Sequence, residues 1–194
     1  ANADYVDVEG GKEFVLVGET RPEDFDWTTD YDDSNKLLID AEDGGLVTVN
    51  DGTFTMGSAG LVESTVGWIE NTVIADAGNL VTKNGEFAAW NITNAGKIDV
   101  TAGSILHTNI VDNTDGVTHV AGGFTADEFI NSDGMIDVAA GGLAQIDSLK
   151  QGTMTSEITN AGSLTISEVQ DGILAGHLTN TGADSALQIG SGFT

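Results

Sequence analysis

The chemistry this sequence could support begins with its carboxylates. Asp30-Tyr31-Asp32-Asp33-Ser34-Asn35 sets acids at alternating positions, and Asp112-Asn113-Thr114-Asp115-Gly116 is a second oxygen-rich turn. Calcium takes about six to eight oxygen ligands, so Asp30, Asp32, Asp33, Asp112 and Asp115 are the candidate metal ligands and calcium the candidate cofactor. The first segment is not an EF-hand loop, because Asn35 stands where the sixth-position Gly belongs and Ala41 where the twelfth-position Glu belongs. Solvated acidic loops are the competing reading. There are 31 acidic residues against 6 basic ones, for a formal net charge of -25.

Other constellations are weaker. His107, His119 and His177 share no metal-binding spacing, and neither a nucleophile elbow, a P-loop nor a dinucleotide fingerprint occurs. Solenoid lyases acting on acidic polysaccharides need Lys or Arg to stabilise negative charge on a uronate. Beyond Lys83 only Lys97 and Lys150 are basic, which argues against such an activity. A glycosidase needs two carboxylates, but nothing in the sequence selects a pair. Trp68 and Trp90 read either as sugar-stacking residues or as packing. The chain therefore reads as a non-enzyme, with a glycan-binding or glycan-cleaving module as an alternative.

Composition narrows the partners. A charge of -25 repels phosphates, which excludes nucleic acid and anionic membranes as natural partners and favours cations or high salt. No apolar run approaches the roughly 20 residues of a membrane helix, so no membrane insertion is expected. There is no cysteine, hence neither disulfide nor thiolate metal site. The start, Ala1-Asn2-Ala3-Asp4, reads as a mature end left by signal-peptide cleavage, so the expected location is secreted or at the cell surface.

The elements that must position these residues are strands. Twenty-six Gly with one Pro suit a chain that turns often and pairs its backbone almost everywhere. Residues 1–40 hold Tyr5, Phe14, Phe25, Trp27 and Tyr31 and the densest acids, and read as an N-terminal cap or assembly segment. Residues 41–194 read as repeated units. Asn94-Ala95-Gly96-Lys97-Ile98-Asp99-Val100 is echoed by Ser132-Asp133-Gly134-Met135-Ile136-Asp137-Val138 and by Asn160-Ala161-Gly162-Ser163-Leu164-Thr165-Ile166. A strand, a turn and an alternating strand are predicted for each copy.

Two expectations follow. Val47, Val49, Ile98, Val100, Ile136, Val138, Leu164 and Ile166 should point inward and stack in columns. Gly96, Gly134 and Gly162 should occupy equivalent corners with positive φ. The marked glycines at 45, 78, 96, 134, 162 and 182 recur irregularly, which reads as loop insertions between rungs. The fold class is all-β, a parallel β-helix or β-solenoid of six or so rungs with an aromatic and acidic N-terminal cap. An antiparallel β-sandwich is the alternative, since its turns recur at similar intervals.

The copies Ile92-Thr93-Asn94-Ala95-Gly96-Lys97-Ile98-Asp99-Val100 and Ile158-Thr159-Asn160-Ala161-Gly162-Ser163-Leu164-Thr165-Ile166 resemble rungs of bacterial repeat adhesins and autotransporter passenger domains. The resemblance implies a right-handed parallel β-helix, export, and an adhesive or scaffold role. With no catalytic constellation and with open ladder ends, the expected function is a self-assembling subunit of a surface layer, filament or matrix fibre. Its expected partner is itself, with a cell-surface glycan as a further partner and a virion decoration or fibre protein as an alternative identity.

Overall fold

A computed structural model describes residues 5–16, 19–20, 38–39, 46–57, 65–151, 154–174 and 176–191. The first strands are β1 (Tyr5–Val8), β2 (Glu13–Leu16), β3 (Glu19–Thr20), β4 (Leu38–Ile39), β5 (Leu46–Val49) and β6 (Thr53–Met56). Then come β7 (Thr65–Ile74), β8 (Asn79–Thr82), β9 (Gly85–Asn94), β10 (Lys97–Val100), β11 (Ser104–Asp112) and β12 (Val117–Val120). The remainder are β13 (Gly123–Asn131), β14 (Met135–Val138), β15 (Leu143–Gln151), β16 (Glu157–Asn160), β17 (Ser163–Leu174), β18 (His177–Asn180) and β19 (Ala186–Ser191).

Among the described residues these form two sheets. The long-strand sheet runs β1-β5-β7-β9-β11-β13-β15-β17-β19, with β3 and β4 also paired to β7. The short-strand sheet runs β18-β16-β14-β12-β10-β8-β6-β2. From β5 onward sequence-adjacent strands alternate between the sheets and ladder neighbours are parallel, as in β9 with β11 and β10 with β12, whereas β3 pairs antiparallel with β7. The protein is a β-solenoid of about 6 turns, and the antiparallel sandwich is excluded. At one end β1 and β2 extend the two ladders past β5 and β6 by parallel pairing.

Thr108 pairs with Ala126, Ala126 with Ile146 and Ile146 with Ile166, so these central turns take 18 to 20 residues. The irregular glycine spacing in the sequence has a simple cause. Gly96 and Gly134 lie where long strands hand over to short ones, whereas Gly162 lies at the opposite corner, between β16 and β17. The three are therefore not equivalent. Nor do they have positive φ, which belongs instead to glycines such as Gly103, Gly141 and Gly182. Close approach explains them. A Cβ on Gly96 would collide with the carbonyl oxygens of Ala75 and Gly78, and one on Gly162 with those of Ala139 and Gly142.

The alternation of buried and exposed residues breaks by one position within each long strand. In β11 the buried set passes from Leu106 and Thr108 to Val111, in β13 from Ala126 to Phe129, and in β15 from Ile146 to Leu149. Two consecutive outward residues mark the bend, which divides the long sheet into two faces. With the short sheet this makes three faces around one core.

All eight residues expected inside are fully buried. They occupy three sets of columns rather than one. Ile98, Val100, Ile136 and Val138 line the short sheet, Leu164 and Ile166 the first half of the long strands, and Val47 and Val49 the second half. Around the bend, Phe124 and Phe129 meet edge to face at 6.0 Å.

One corner carries a buried polar ladder. Asn94 Nδ2 donates to Asn113 Oδ1 at 2.7 Å, Asn113 Nδ2 to Asn131 Oδ1 at 2.9 Å, and Asn131 Nδ2 to Gln151 Oε1 at 3.3 Å. Each Asn amide also reaches a carbonyl of the next corner, as Asn113 Nδ2 does to Met135 O at 3.2 Å. The ladder stops where the chemistry stops. Among the described residues Asn94 Oδ1 at one end and Gln151 Nε2 at the other have no partner, and at the first end the flanking register position holds the apolar Ile74. Thr118, polar within a column of Ile98 and Ile136, is explained by its bond to Asn113 Oδ1 at 3.2 Å.

Candidate functional site

The outward rows of the three faces differ in what they leave available. On the short sheet one row reads Asp99, His119, Asp137, Thr159. It satisfies itself. His119 Nδ1 donates to Asp137 Oδ2 at 2.7 Å, Thr159 Oγ1 donates to Asp137 Oδ1 at 2.7 Å, and Lys97 Nζ pairs with Asp99 at 3.0 Å. Partial burial pushes the Asp137 carboxyl up, but the hydrogen bonds from Thr159 and His119 and the charges of His119 and Lys97 outweigh it and hold the group below its ordinary value.

The sign follows from that direction. A depressed folded pKa contributes stability above the unfolded value, about 3.9, and that contribution disappears as pH falls through the folded value. Asp137 is 38% exposed, so solvent screening keeps the effect below about 1 kcal/mol. Urea midpoints measured from neutral pH into the acid range should therefore fall less steeply for Asp137→Asn than for the wild type. Equal slopes would show that this row contributes nothing to acid stability.

The first half of the long sheet is different. Its outward positions form two parallel rows, Ile105, Gly123, Leu143 and His107, Thr125, Gln145, Thr165. Ile105 is 40% and Leu143 61% exposed, and Gly123 between them has no side chain. The result is a notch across the rungs. Two adjoining open depressions of about 470 and 410 Å³ share Ile105, Gly123 and Leu143.

Polar groups follow the notch. His107 Nε2 lies 2.8 Å from Glu86 Oε1 and donates to that carboxylate, and its Nδ1 is hydrogen-bonded to Thr125 Oγ1 at 2.9 Å. Carboxylate, imidazole and hydroxyl thus stand in the order of a hydrolase relay. Acyl transfer would also need donors aimed at an oxyanion, and the strand amides around Thr125 are committed to the ladders on both sides. The relay fixes side chains in place. Among the described residues no side-chain hydrogen bond engages Gln145 or Thr165, which leaves both as ready donors and acceptors.

The sequence-derived candidates fall elsewhere. Asp30, Asp32 and Asp33 lie outside the described residues. Asp112 accepts from Thr114 Oγ1 at 2.6 Å, and Asp115 takes a positive φ of 62° at the same corner. Among the described residues no group of three or more His, Asp or Glu is placed to hold a metal. Trp68 is buried and stacks on Trp90 at 5.0 Å, which makes it part of a packed seam. The sequence offers His107 only as a metal ligand and does not single out Glu86, Thr125 or Gln145, because only the solenoid turn brings the four together.

No family model, curated protein or solved structure matches this chain.

Proposed function

We propose that this chain is a structural protein of an extracellular assembly, a surface layer, filament or matrix fibre, which grows by stacking copies end to end. The observation that carries this reading is how the inner columns of the short sheet terminate. At β2, Phe14 is 40% exposed although it stacks on the fully buried Phe54 at 5.2 Å. At β18, Leu178 is half-buried and Asn180 exposed, while Ile98, Ile136 and Ile158 in the Leu178 column are buried. Among the described residues each end offers an apolar ledge and a strand edge with no further strand paired to it, and such edges template the addition of another strand.

The two ends are complementary. In-register addition of β18 from one copy to β2 of the next would set Leu178 against Phe14 and Asn180 against Leu16. Head-to-tail contact of this kind is heterologous and does not close, so it produces a linear stack. A charge of -25 on each copy opposes contact unless salt screens it or cations bridge acids. Calcium held by Asp30, Asp32 and Asp33, or by Asp112 and Asp115, would serve as that bridge. The resemblance to repeat adhesin rungs fits a scaffold role.

Sedimentation velocity tests the proposal in chelator, in millimolar calcium and in high salt. The wild type should gain mass with calcium or salt, and Leu178→Glu, though destabilised by losing a side chain packed on the core, should remain folded and monomeric. A wild type that stays monomeric in every condition overturns it.

A further inference from the structure

The notch around Gly123 has no part in end-to-end stacking, and its chemistry points to a ligand. We propose that it binds a neutral oligosaccharide lying across the rungs. Ile105 and Leu143 form two apolar lips, and Thr125, Gln145 and Thr165 form a neutral hydrogen-bonding line beside them. A sugar ring is amphipathic in the same way, with C–H groups on its faces and hydroxyls around its rim. The faces pack on the lips and the hydroxyls exchange donors and acceptors with the row. The polar row advances one residue per rung, about every 4.8 Å, while the two lips stand two rungs apart across Gly123, so a sugar chain running along the stack meets both.

Other occupants fit less well. The notch lies in the middle of a sheet, where ladders on both sides use the backbone N–H and C=O groups, so a peptide strand has no edge to extend. The depressions are open rather than enclosed, unlike the concave sites that engulf small apolar molecules. A net charge of -25 repels uronates and other anionic chains. The Glu86–His107–Thr125 relay removes side-chain freedom from one wall, so less ordering is needed on binding.

Isothermal titration calorimetry with cellohexaose, maltohexaose, mannohexaose and chitohexaose tests this, with trigalacturonate as the anionic probe. At least one neutral hexaose should bind while trigalacturonate does not. Gln145→Ala should weaken that binding about five- to tenfold, and Gly123→Val, which fills the notch, should abolish it. Gln145 is exposed, so its variant should keep the wild-type thermal midpoint, which separates lost binding from lost folding. The proposal is overturned if no neutral hexaose binds, if trigalacturonate binds as well, or if Gln145→Ala and Gly123→Val bind like the wild type. It is equally overturned if Leu143→Asp changes the sedimentation of the protein, since the lips would then be a contact between copies.

Discussion

Ile136→Asp should leave a protein that is unfolded, or folded only marginally, at room temperature. Ile136 is fully buried in the short-sheet column between Thr118 and Ile158. The carboxylate would replace apolar contacts on the neighbouring rungs, and among the described residues no cation is buried in the core to pair with it. Burying an unpaired charge costs several kcal/mol or forces protonation, which is a large part of the stability of an ordinary domain. Circular dichroism with urea titration reads the loss directly. Met135→Asp, one residue earlier and at an outward, partly exposed position, is the control and should cost little. Similar losses for the two variants would mean that the strand register is wrong.

Asn113→Leu should rank second, at about 3 to 5 kcal/mol. Leucine keeps the branched shape and heavy-atom count of asparagine while removing the polar connections, and its bulkier methyl groups add some overpacking. The change takes the acceptor from Asn94 and Thr118, and the donor from Asn131 Oδ1 and the Met135 carbonyl. Buried groups left without partners each cost about 1 to 3 kcal/mol, and they belong to a chain of bonds that polarise one another. Asn91→Leu provides the comparison, because Asn91 meets Asn71 at 3.3 Å on an outward row and should lose less than about 1 kcal/mol. Urea midpoints of the two variants should differ clearly. Equal midpoints would reduce the ladder to a set of independent, solvent-competed bonds.

The fold class and the inward residues were legible because alternation is local. Ile98-Asp99-Val100 and Ile136-Asp137-Val138 announce which side of a strand is inside, whatever the strand pairs with. The corners were not legible in the same way. The sequence Asn-Ala-Gly occurs at 94–96 and at 160–162, yet the first lies at one corner of the turn and the second at the other. The same three residues suit both, since each corner needs a glycine where backbones stack closely. Asn131 was obscured by an extra residue, because Asn131-Ser132-Asp133-Gly134 is one longer than Asn94-Ala95-Gly96. The register of the ladder, which aligns Asn94, Asn113 and Asn131, is long-range information that local motifs do not hold.

The notch illustrates the same limit. Glu86, His107, Thr125 and Gln145 are 18 to 21 residues apart along the chain, and no spacing rule for catalysis or metals uses such intervals. Once the turn length is known they become neighbours, and Gly123 falls between Ile105 and Leu143 on the adjoining row.

The stacking account is tested most directly by trapping the contact between copies. The sequence has no cysteine, so a Val15→Cys, Thr179→Cys double variant carries one thiol on the outward row at each end of the short sheet. The two thiols of one copy are separated by the height of the stack, about seven rung spacings or roughly 34 Å, and cannot bond to each other. Mild oxidation under conditions that promote association should yield a ladder of covalent dimers, trimers and longer chains on a denaturing gel. His119→Cys, on the same outward row in mid-stack, should give no such ladder. A double variant that remains monomeric, or that stops at dimers, contradicts end-to-end growth.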